Sequence, residues 1–148
     1  MAKIFCISNQ KGGVGKTTTT VNLAAGLAKV GQRVLMVDLD PQGNATMGSG
    51  VDKRRLALSV YDVLLESASI EEARVHAEKC GYDVLGANRE LAGAEVELVA
   101  LERRDQRLKT ALAAVADNYD FVLIDCPPSL SMLTLNGLCA AHGVIVPM

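Results

Sequence analysis

Short apolar runs alternate with stretches of helical spacing along this chain, and the alternation predicts strands that take turns with helices. Residues 3–8 are almost continuously apolar, as in strands buried on both faces of a parallel sheet. From residue 17 to residue 30, apolar positions recur on one side at the helical spacing, and Gly31 stands where helices often end. Predicted strands span residues 3–8, 33–38, 82–85, 121–125 and 144–146, and predicted helices span 17–30, 91–101, 105–117 and 131–141.

The stretch between the second and third predicted strands is mostly irregular. Residues 39–58 are rich in Gly, Asn and Asp, which is typical of a loop. Beyond it, Ser59 is placed to cap a short helix, and Ser69 with Glu72 has the spacing of a capping box. We therefore expect only short helical turns before the strand at residue 82.

The order of these elements predicts an α/β fold, a doubly wound, mostly parallel sheet with helices on both faces. No internal repeat or linker interrupts residues 1–148, which indicates a single domain. The last predicted strand has no helix after it to cover the sheet. We therefore expect the chain to be the N-terminal part of a longer α/β protein, truncated within its domain.

Composition narrows the class of protein further. Of the 148 residues, 49% are hydrophobic and 22% are charged, which suits a compact domain with a substantial core. The formal net charge of −2 gives no overall attraction to nucleic acid or to an anionic membrane. Basic clusters at residues 53–55 and 103–109 are interleaved with acidic residues, so we interpret them as solvated faces.

The cysteines and the apolar runs indicate a cytoplasmic protein. No apolar run reaches the ~18 residues of a membrane span, and no signal peptide precedes the first predicted strand. The four cysteines show no C-x-x-C spacing, and we expect reduced, packed thiols in a reducing compartment. They are Cys6, Cys80, Cys126 and Cys139.

A glycine-rich segment at residues 10–18 joins the first predicted strand to the first predicted helix. Glycines there let backbone N–H groups converge on an anion at a helix N-terminus. Lys16 supplies a cation for the β- and γ-phosphates, and Thr17 supplies a hydroxyl for Mg²⁺. The segment is predicted to be a phosphate-binding loop for a nucleoside triphosphate, the alternative being a chance glycine turn. It departs from the common pattern by Gln10 in place of glycine and by the additional Lys11.

Aspartates follow two of the predicted strands. Asp38 and Asp40 stand at the end of the second strand, and Asp125 ends the apolar run of residues 121–124. Ligands of doubly wound sheets bind beyond the carboxyl ends of strands, so we expect these carboxylates to share a crevice with the phosphate loop. An apolar strand that ends in aspartate is the Walker B arrangement, which holds Mg²⁺ directly or through water. Taken singly, each aspartate could instead be an N-cap or turn residue.

Together these motifs resemble those of the ParA/MinD ATPases over essentially the whole of residues 1–148. The segment at 10–18 is similar to the deviant Walker A motif of that family, residues 38–44 to its switch I, and residues 121–130 to its Walker B and switch II. Residues 91–95 resemble the chromosomal ParA (Soj) branch. The resemblance implies ATP and Mg²⁺ as cofactors. It implies ATP contacts from Lys11, Gly12, Gly13, Val14, Gly15, Lys16, Thr17 and Thr18 and metal contacts from Thr17, Asp38 and Asp125.

The resemblance also implies a mechanism. Lys11, Lys16 and Asp40 would be the catalytic residues. Lys11 would reach across a nucleotide-bound homodimer to the partner's phosphates, and Asp40 would position or activate the attacking water. Since loss of the γ-phosphate removes the charge that holds Lys11, ATP would join two protomers and hydrolysis would release them.

The function implied is that of a partitioning ATPase for a chromosome or plasmid, cytoplasmic and nucleoid-associated. Its implied partners are a second copy of the chain, a ParB-like centromere-binding protein and nonspecific nucleoid DNA, with no membrane expected. One alternative is a MinD-like division-site ATPase, and another is a nucleotide-binding fragment without turnover. Iron-protein-like reductases share the loop, but their paired cluster cysteines stand at other positions.

Overall fold

The structure, a computed structural model, describes residues 2–8, 14–128 and 131–146, with side chains for 2–8, 17–128 and 131–146. The strands are β1 (Lys3–Ile7), β2 (Val34–Asp38), β3 (Val75–Ala77), β4 (Tyr82–Leu85), β5 (Phe121–Asp125) and β6 (Gly143–Ile145). The helices are α1 (Val14–Lys29), α2 (Asn44–Gly48), α3 (Val60–Leu64), α4 (Ile70–Ala73), α5 (Leu91–Val99), α6 (Arg107–Ala113) and α7 (Met132–Ala140). Short 3-10 turns lie at Lys53–Arg55 and Ala116–Asn118. No helix within the described ranges is long and apolar enough to cross a membrane.

The six strands form one sheet in the order β3-β4-β2-β5-β1-β6. Every neighbouring pair is parallel except β3 with β4, which is antiparallel. Two apolar clusters lie on opposite faces of the sheet: one includes side chains of α1, and the other includes side chains of α3 to α7. The predicted doubly wound α/β fold with helices on both faces is therefore confirmed.

Two elements were missed in the sequence. Residues 39–58 were expected to be a loop, yet they contain α2, where Gly43 at φ 67° turns the chain and Ala45 and Thr46 are buried. The edge strand β3 was also missed, because only Ala77 of its three residues is buried and the segment therefore carries no strand periodicity. Both elements depend on contacts with distant residues, which local pattern does not encode.

The predicted helix caps are confirmed. The Ser59 side chain accepts a hydrogen bond from the Tyr61 amide, and Asp62 completes a capping box at the start of α3. Ser69 and Glu72 form the predicted capping box of α4. The helix predicted over residues 105–117 is shorter in the structure. It runs as α6 from Arg107 to Ala113, and a 3-10 turn follows at Ala116–Asn118.

The structure pairs Cys6 with Cys126 in a disulfide, with Cα atoms 6.6 Å apart. The expectation of four reduced thiols is therefore wrong for these two cysteines. The reason is strand register: β1 lies beside β5 with Cys6 opposite Ile124, so cysteines 120 residues apart in sequence become neighbours. Cys80 and Cys139 are free thiols.

Candidate functional site

The carboxyl ends of β2 and β5 bring two aspartates together. The strands are parallel neighbours, and their register places Asp38 directly opposite Asp125. Both side chains are fully buried. On the other side of β5 lies β1, which precedes α1, so the amino end of α1 lies at the same edge of the sheet. The topology thus brings Asp38, Asp125 and the amino end of α1 to one edge of the sheet, and the crevice shared with the phosphate loop stays a prediction.

Asp38 is held by three hydrogen bonds. Its Oδ2 accepts from the Thr46 backbone amide at 2.9 Å and from the Thr46 hydroxyl at 2.7 Å, and its Oδ1 accepts from the Asp40 amide at 3.0 Å. Burial raises the pKa of Asp38 to about 7, and the charge of Asp125 acts in the same direction, against the hydrogen bonds from Thr46 and Asp40. Because both causes disfavour the carboxylate, a bound cation would favour it.

Asp125 is joined to α1 by a buried threonine. The hydroxyl of Thr20 donates to Asp125 Oδ1 at 2.9 Å, and the Thr20 side chain is fully buried. Directly after Asp125, the amide of Cys126 donates to the Ile7 carbonyl at 3.1 Å. These contacts fix the end of β5 against both β1 and α1.

Asp40 organises the turn that follows β2. Its Oδ1 accepts from the Gln42 amide at 3.0 Å, and its carbonyl accepts from the Gly43 amide at 2.8 Å. A Cβ atom at Gly43 would lie 2.8 Å from the Ala87 carbonyl oxygen, and φ at this residue is +67°, so the turn requires glycine there. Lys53 donates from Nζ to the Gln42 carbonyl and so holds the outer side of the turn.

The residues predicted to bind the triphosphate are described only in part. Lys11, Gly12 and Gly13 lie outside the described residues. Val14, Gly15 and Lys16 form the first turn of α1, but their side chains lie outside the described part of the chain. Farther along α1, Thr17 is half-buried and Thr18 is exposed. The roles predicted for these eight residues stay predictions.

The donor set at this edge of the sheet fits a magnesium ion. Asp38 and Asp125 are hard oxygen donors that lie side by side, and Thr17 belongs to the adjacent helix. The described residues contain no group of three or more His, Cys, Asp or Glu side chains placed to hold a metal. Mg²⁺ does not need one, because it usually takes one or two carboxylates together with phosphate and water oxygens.

Sequence reasoning missed two threonines of this site. Thr20 contacts Asp125, and Thr46 contacts Asp38 and also accepts from the Ala87 amide at 3.0 Å. Both side chains are fully buried. The sequence signal for both is weak, because it consists of a threonine on the apolar side of a helix. For Thr46 even this signal could not be recognised, since α2 was not predicted.

Two arginines of the second basic cluster donate hydrogen bonds to helix ends of the same chain. Arg104 donates to the Val99 carbonyl at the end of α5 at 3.0 Å, and Arg107 donates to the Leu64 carbonyl at the end of α3 at 3.4 Å. Cations at helix C-termini are favourable because of the helix dipole. These arginines therefore stabilise helix ends. Arg104 is exposed, as expected for a solvated face, whereas the side chain of Arg107 is mostly buried.

The chain is similar in sequence to known proteins over its whole length. The family model AAA_31, described as an AAA domain, matches residues 2–148. The sporulation initiation inhibitor protein Soj of Bacillus subtilis is 53% identical over 148 residues, which are 100% of this chain and 58% of Soj. The chromosome partitioning protein ParA of Myxococcus xanthus is 49% identical, over 100% of this chain and 52% of ParA.

A solved structure is similar over the whole chain as well. It is described as cobyrinic acid a,c-diamide synthase from Mycobacterium smegmatis with bound ATP analog and magnesium. The TM-score is 0.97 at 49% identity, and the match covers 100% of this chain and 60% of that one. The chain thus spans little more than half the length of the relatives it matches. The family match over residues 2–148 shows that the chain belongs to the AAA_31 family, in which it is similar to Soj and ParA.

Proposed function

We propose that the protein is a ParA-like, Mg²⁺-dependent ATPase that acts as an ATP-operated dimer switch in chromosome or plasmid partitioning. The observation that carries the proposal is the pair of buried carboxylates, Asp38 opposite Asp125, at the end of the sheet where α1 begins. Two buried like charges side by side are unfavourable unless a cation or proton neutralises them. A Mg²⁺–triphosphate complex at this edge would supply that cation.

ATP and Mg²⁺ are the ligands that the site fits. Lys16, in the first turn of α1, would contact the phosphates, and Thr17, Asp38 and Asp125 would hold the metal directly or through water. The M. smegmatis relative was crystallised with an ATP analog and magnesium, which supports the same pair of ligands here. The bound metal would stabilise the negative charge that develops on the phosphates.

Asp40 is the residue we assign to the attacking water. It follows Asp38 directly after β2, and its carboxylate is mostly buried in the turn. Hydrolysis transfers the γ-phosphoryl group to water and leaves ADP and phosphate. In such a reaction the protein mainly positions the reactants and stabilises charge.

Lys11 gives the proposed switch its dependence on ATP. A second ammonium group from the partner subunit would favour the triphosphate-bound dimer, and loss of the γ-phosphate would weaken it. The names of the relatives, Soj and ParA, support a role in partitioning. A ParB-like partner, nonspecific nucleoid DNA and a nucleoid-associated, cytoplasmic location complete the proposal.

The name of the M. smegmatis structure suggests a second candidate, an ATP-dependent diamide synthase, at an identity similar to that of ParA. The two candidates differ in what ATP turnover requires. A partitioning ATPase hydrolyses ATP alone and responds to DNA, whereas a synthase couples hydrolysis to an amide donor and cobyrinic acid. A MinD-like ATPase and a nucleotide-binding protein without turnover remain as the other two outcomes of the test.

The test uses the full-length protein and two matched lysine variants of α1. ATP turnover, Mg²⁺-dependent nucleotide affinity and molar mass with ATP or ADP are measured for the unmodified protein, for Lys16→Ala and for Lys29→Ala. Lys29 is the control, because it is exposed in the last turn of the same helix. We expect Lys16→Ala to lose at least about 100-fold in turnover, consistent with removal of a charge-stabilising group, and Lys29→Ala to behave as the unmodified protein.

Turnover that is unaffected by Lys16→Ala would reject the phosphate-loop mechanism. Nucleotide binding without turnover would favour the alternative of a nucleotide-binding protein that does not hydrolyse ATP. Turnover that needs glutamine and cobyrinic acid would favour the synthase, and ATP-dependent association with vesicles in place of DNA would favour the MinD-like alternative.

A further inference from the structure

The amino end of α7 is held by a carboxylate from another helix. Glu95, in the middle of α5, accepts from the Met132 amide at 2.9 Å and from the Leu133 amide at 3.1 Å. These are two of the amides at the start of a helix that have no partner within it. The side chain of the N-cap residue Ser131 accepts from the Thr134 amide at 3.4 Å, a long hydrogen bond. Glu95 therefore completes the cap of α7, although it lies 37 residues away from Met132 in sequence.

The chain segment that follows Asp125 leads to the same end of α7. Residues 126–131 join Asp125 to α7, and the start of this segment is fixed by the bond from the Cys126 amide to Ile7. Its far end is fixed by Glu95 through α7. Pro127 and Ser131, which lie in the described part of this segment, line one groove together with Glu95.

Glu95 also belongs to the part of the molecule that holds Asp38. The chain leading into α5 passes Ala87, whose amide donates to the Thr46 hydroxyl, and that hydroxyl donates to Asp38. A groove of about 280 Å³ beside Glu95 is lined by Pro41, which follows Asp40, and by Pro127, which stands two residues after Asp125. Glu95 thus lines the same groove as the two segments that follow Asp38 and Asp125.

We propose that Glu95 is a positioning residue that sets the start of α7 and, with it, the groove between Pro127, which comes after β5, and Pro41, which comes after β2. This inference rests on the proposed function, because it assigns Glu95 an effect on ATP hydrolysis. Glu95 touches neither nucleotide nor metal in this proposal. A carboxylate that accepts hydrogen bonds from two amides at a helix N-terminus makes strong, oriented contacts. Such contacts hold the start of the helix in one position.

The experiment compares Glu95→Ala, Glu95→Gln and the control Glu97→Ala in the full-length protein. Glu97 lies on the same helix, is exposed, and accepts from the Tyr61 hydroxyl at 2.8 Å, away from α7. Amide hydrogen exchange at Met132 and Leu133 reports the contact itself, and kcat, KM for ATP and nucleotide affinity report its consequence.

In Glu95→Ala we expect exchange at the two amides to be about tenfold faster, as for loss of hydrogen bonds to a charged group. We also expect a fall in kcat of roughly fivefold or more with ATP affinity within about twofold of the unmodified protein. Glu95→Gln keeps one acceptor oxygen, so its exchange rate and kcat should lie between those of the unmodified protein and of Glu95→Ala. Glu97→Ala should change neither the exchange rate nor kcat.

Unchanged exchange at Met132 and Leu133, or faster exchange with unchanged kcat, would overturn the proposal. So would an equal loss of kcat in Glu97→Ala, because general destabilisation of α5 would then explain the effect. If the unmodified protein shows no turnover, the proposed function fails, and the exchange rates alone decide whether Glu95 positions α7.

Discussion

Asp38 and Asp125 face each other across two neighbouring parallel strands, and both side chains are fully buried. Burial and the charge of Asp125 raise the pKa of Asp38 to about 7, compared with the ordinary value of 3.8. The folded chain therefore keeps a proton on Asp38 at pH values where the unfolded chain has lost it. This difference makes folding stability depend on pH.

In the metal-free protein, we expect the Asp38 contribution to stability to be fully present below about pH 4 and to be lost as pH rises through about 7. Asp38→Asn carries no ionisation and should lose this part of the pH dependence. Thermal unfolding at pH 5 and pH 8 measures this dependence. We expect the difference in Tm between the unmodified protein and Asp38→Asn to change by roughly 5 °C or more between the two pH values. Identical pH dependence in the two proteins would contradict the raised pKa.

Thr46 should support the site through its hydroxyl. Thr46→Val removes the hydroxyl that donates to Asp38, one of its three donors, and leaves the buried Ala87 amide without the acceptor that this hydroxyl provides. We expect a loss of about 1–3 kcal/mol in the free energy of unfolding, together with weaker Mg²⁺-dependent nucleotide binding. Thr46→Ser keeps the hydroxyl and is the control in chemical denaturation and binding measurements. Equal behaviour of the Val and Ser variants would show that the hydroxyl is unimportant.

Asp40 should affect hydrolysis more than binding. Asp40→Asn keeps an acceptor for the Gln42 amide and so preserves the turn, whereas Asp40→Ala removes it. We expect both variants of the full-length protein to hydrolyse ATP about 100-fold more slowly or worse, and the Asn variant to bind ATP and dimerise normally. If Asp40→Asn turns over ATP at the normal rate while Asp40→Ala does not bind, the role of Asp40 is structural.

Lys11 should be needed for the dimer and not for binding by one protomer. We expect Lys11→Ala to abolish the increase in molar mass that ATP causes. The nucleotide affinity of the monomer should change by less than about tenfold, because the proposed contact of Lys11 is with the phosphates bound by the partner subunit. Light scattering after size-exclusion chromatography, with Lys29→Ala as control, measures the change. A dimer that survives in Lys11→Ala would refute the role across the subunit interface.

Two helical glycines should respond oppositely to alanine. A Cβ atom at the buried Gly137 of α7 would lie 2.7 Å from Cys126 Sγ and 3.2 Å from Leu39 Cδ1, whereas one at the exposed Gly26 of α1 would meet nothing within 4 Å. We expect Gly137→Ala to destabilise the fold by about 1–3 kcal/mol and Gly26→Ala to stabilise it by up to about 1 kcal/mol. Denaturant unfolding measures both. Stabilisation by Gly137→Ala would mean that α7 shifts easily against β5.

The sequence by itself determined the fold class and most of the elements. Buried parallel strands are continuously apolar, so the runs at β1, β2 and β5 were visible without any knowledge of their neighbours. The glycine-rich segment and the aspartates at strand ends were equally visible, because phosphate and metal chemistry demand particular residues at fixed spacing. Local capping chemistry likewise marked the starts of α3 and α4.

Only the tertiary structure decided which residues meet across the sheet. The strand order set Asp38 against Asp125 and brought Cys6 to Cys126, and no local pattern encodes either register. The cap of α7 by Glu95 joins two helices through backbone amides, which have no sequence signature. Spacing along the chain specifies elements and chemistry, whereas pairing between elements is fixed by packing, and packing depends on all of them together.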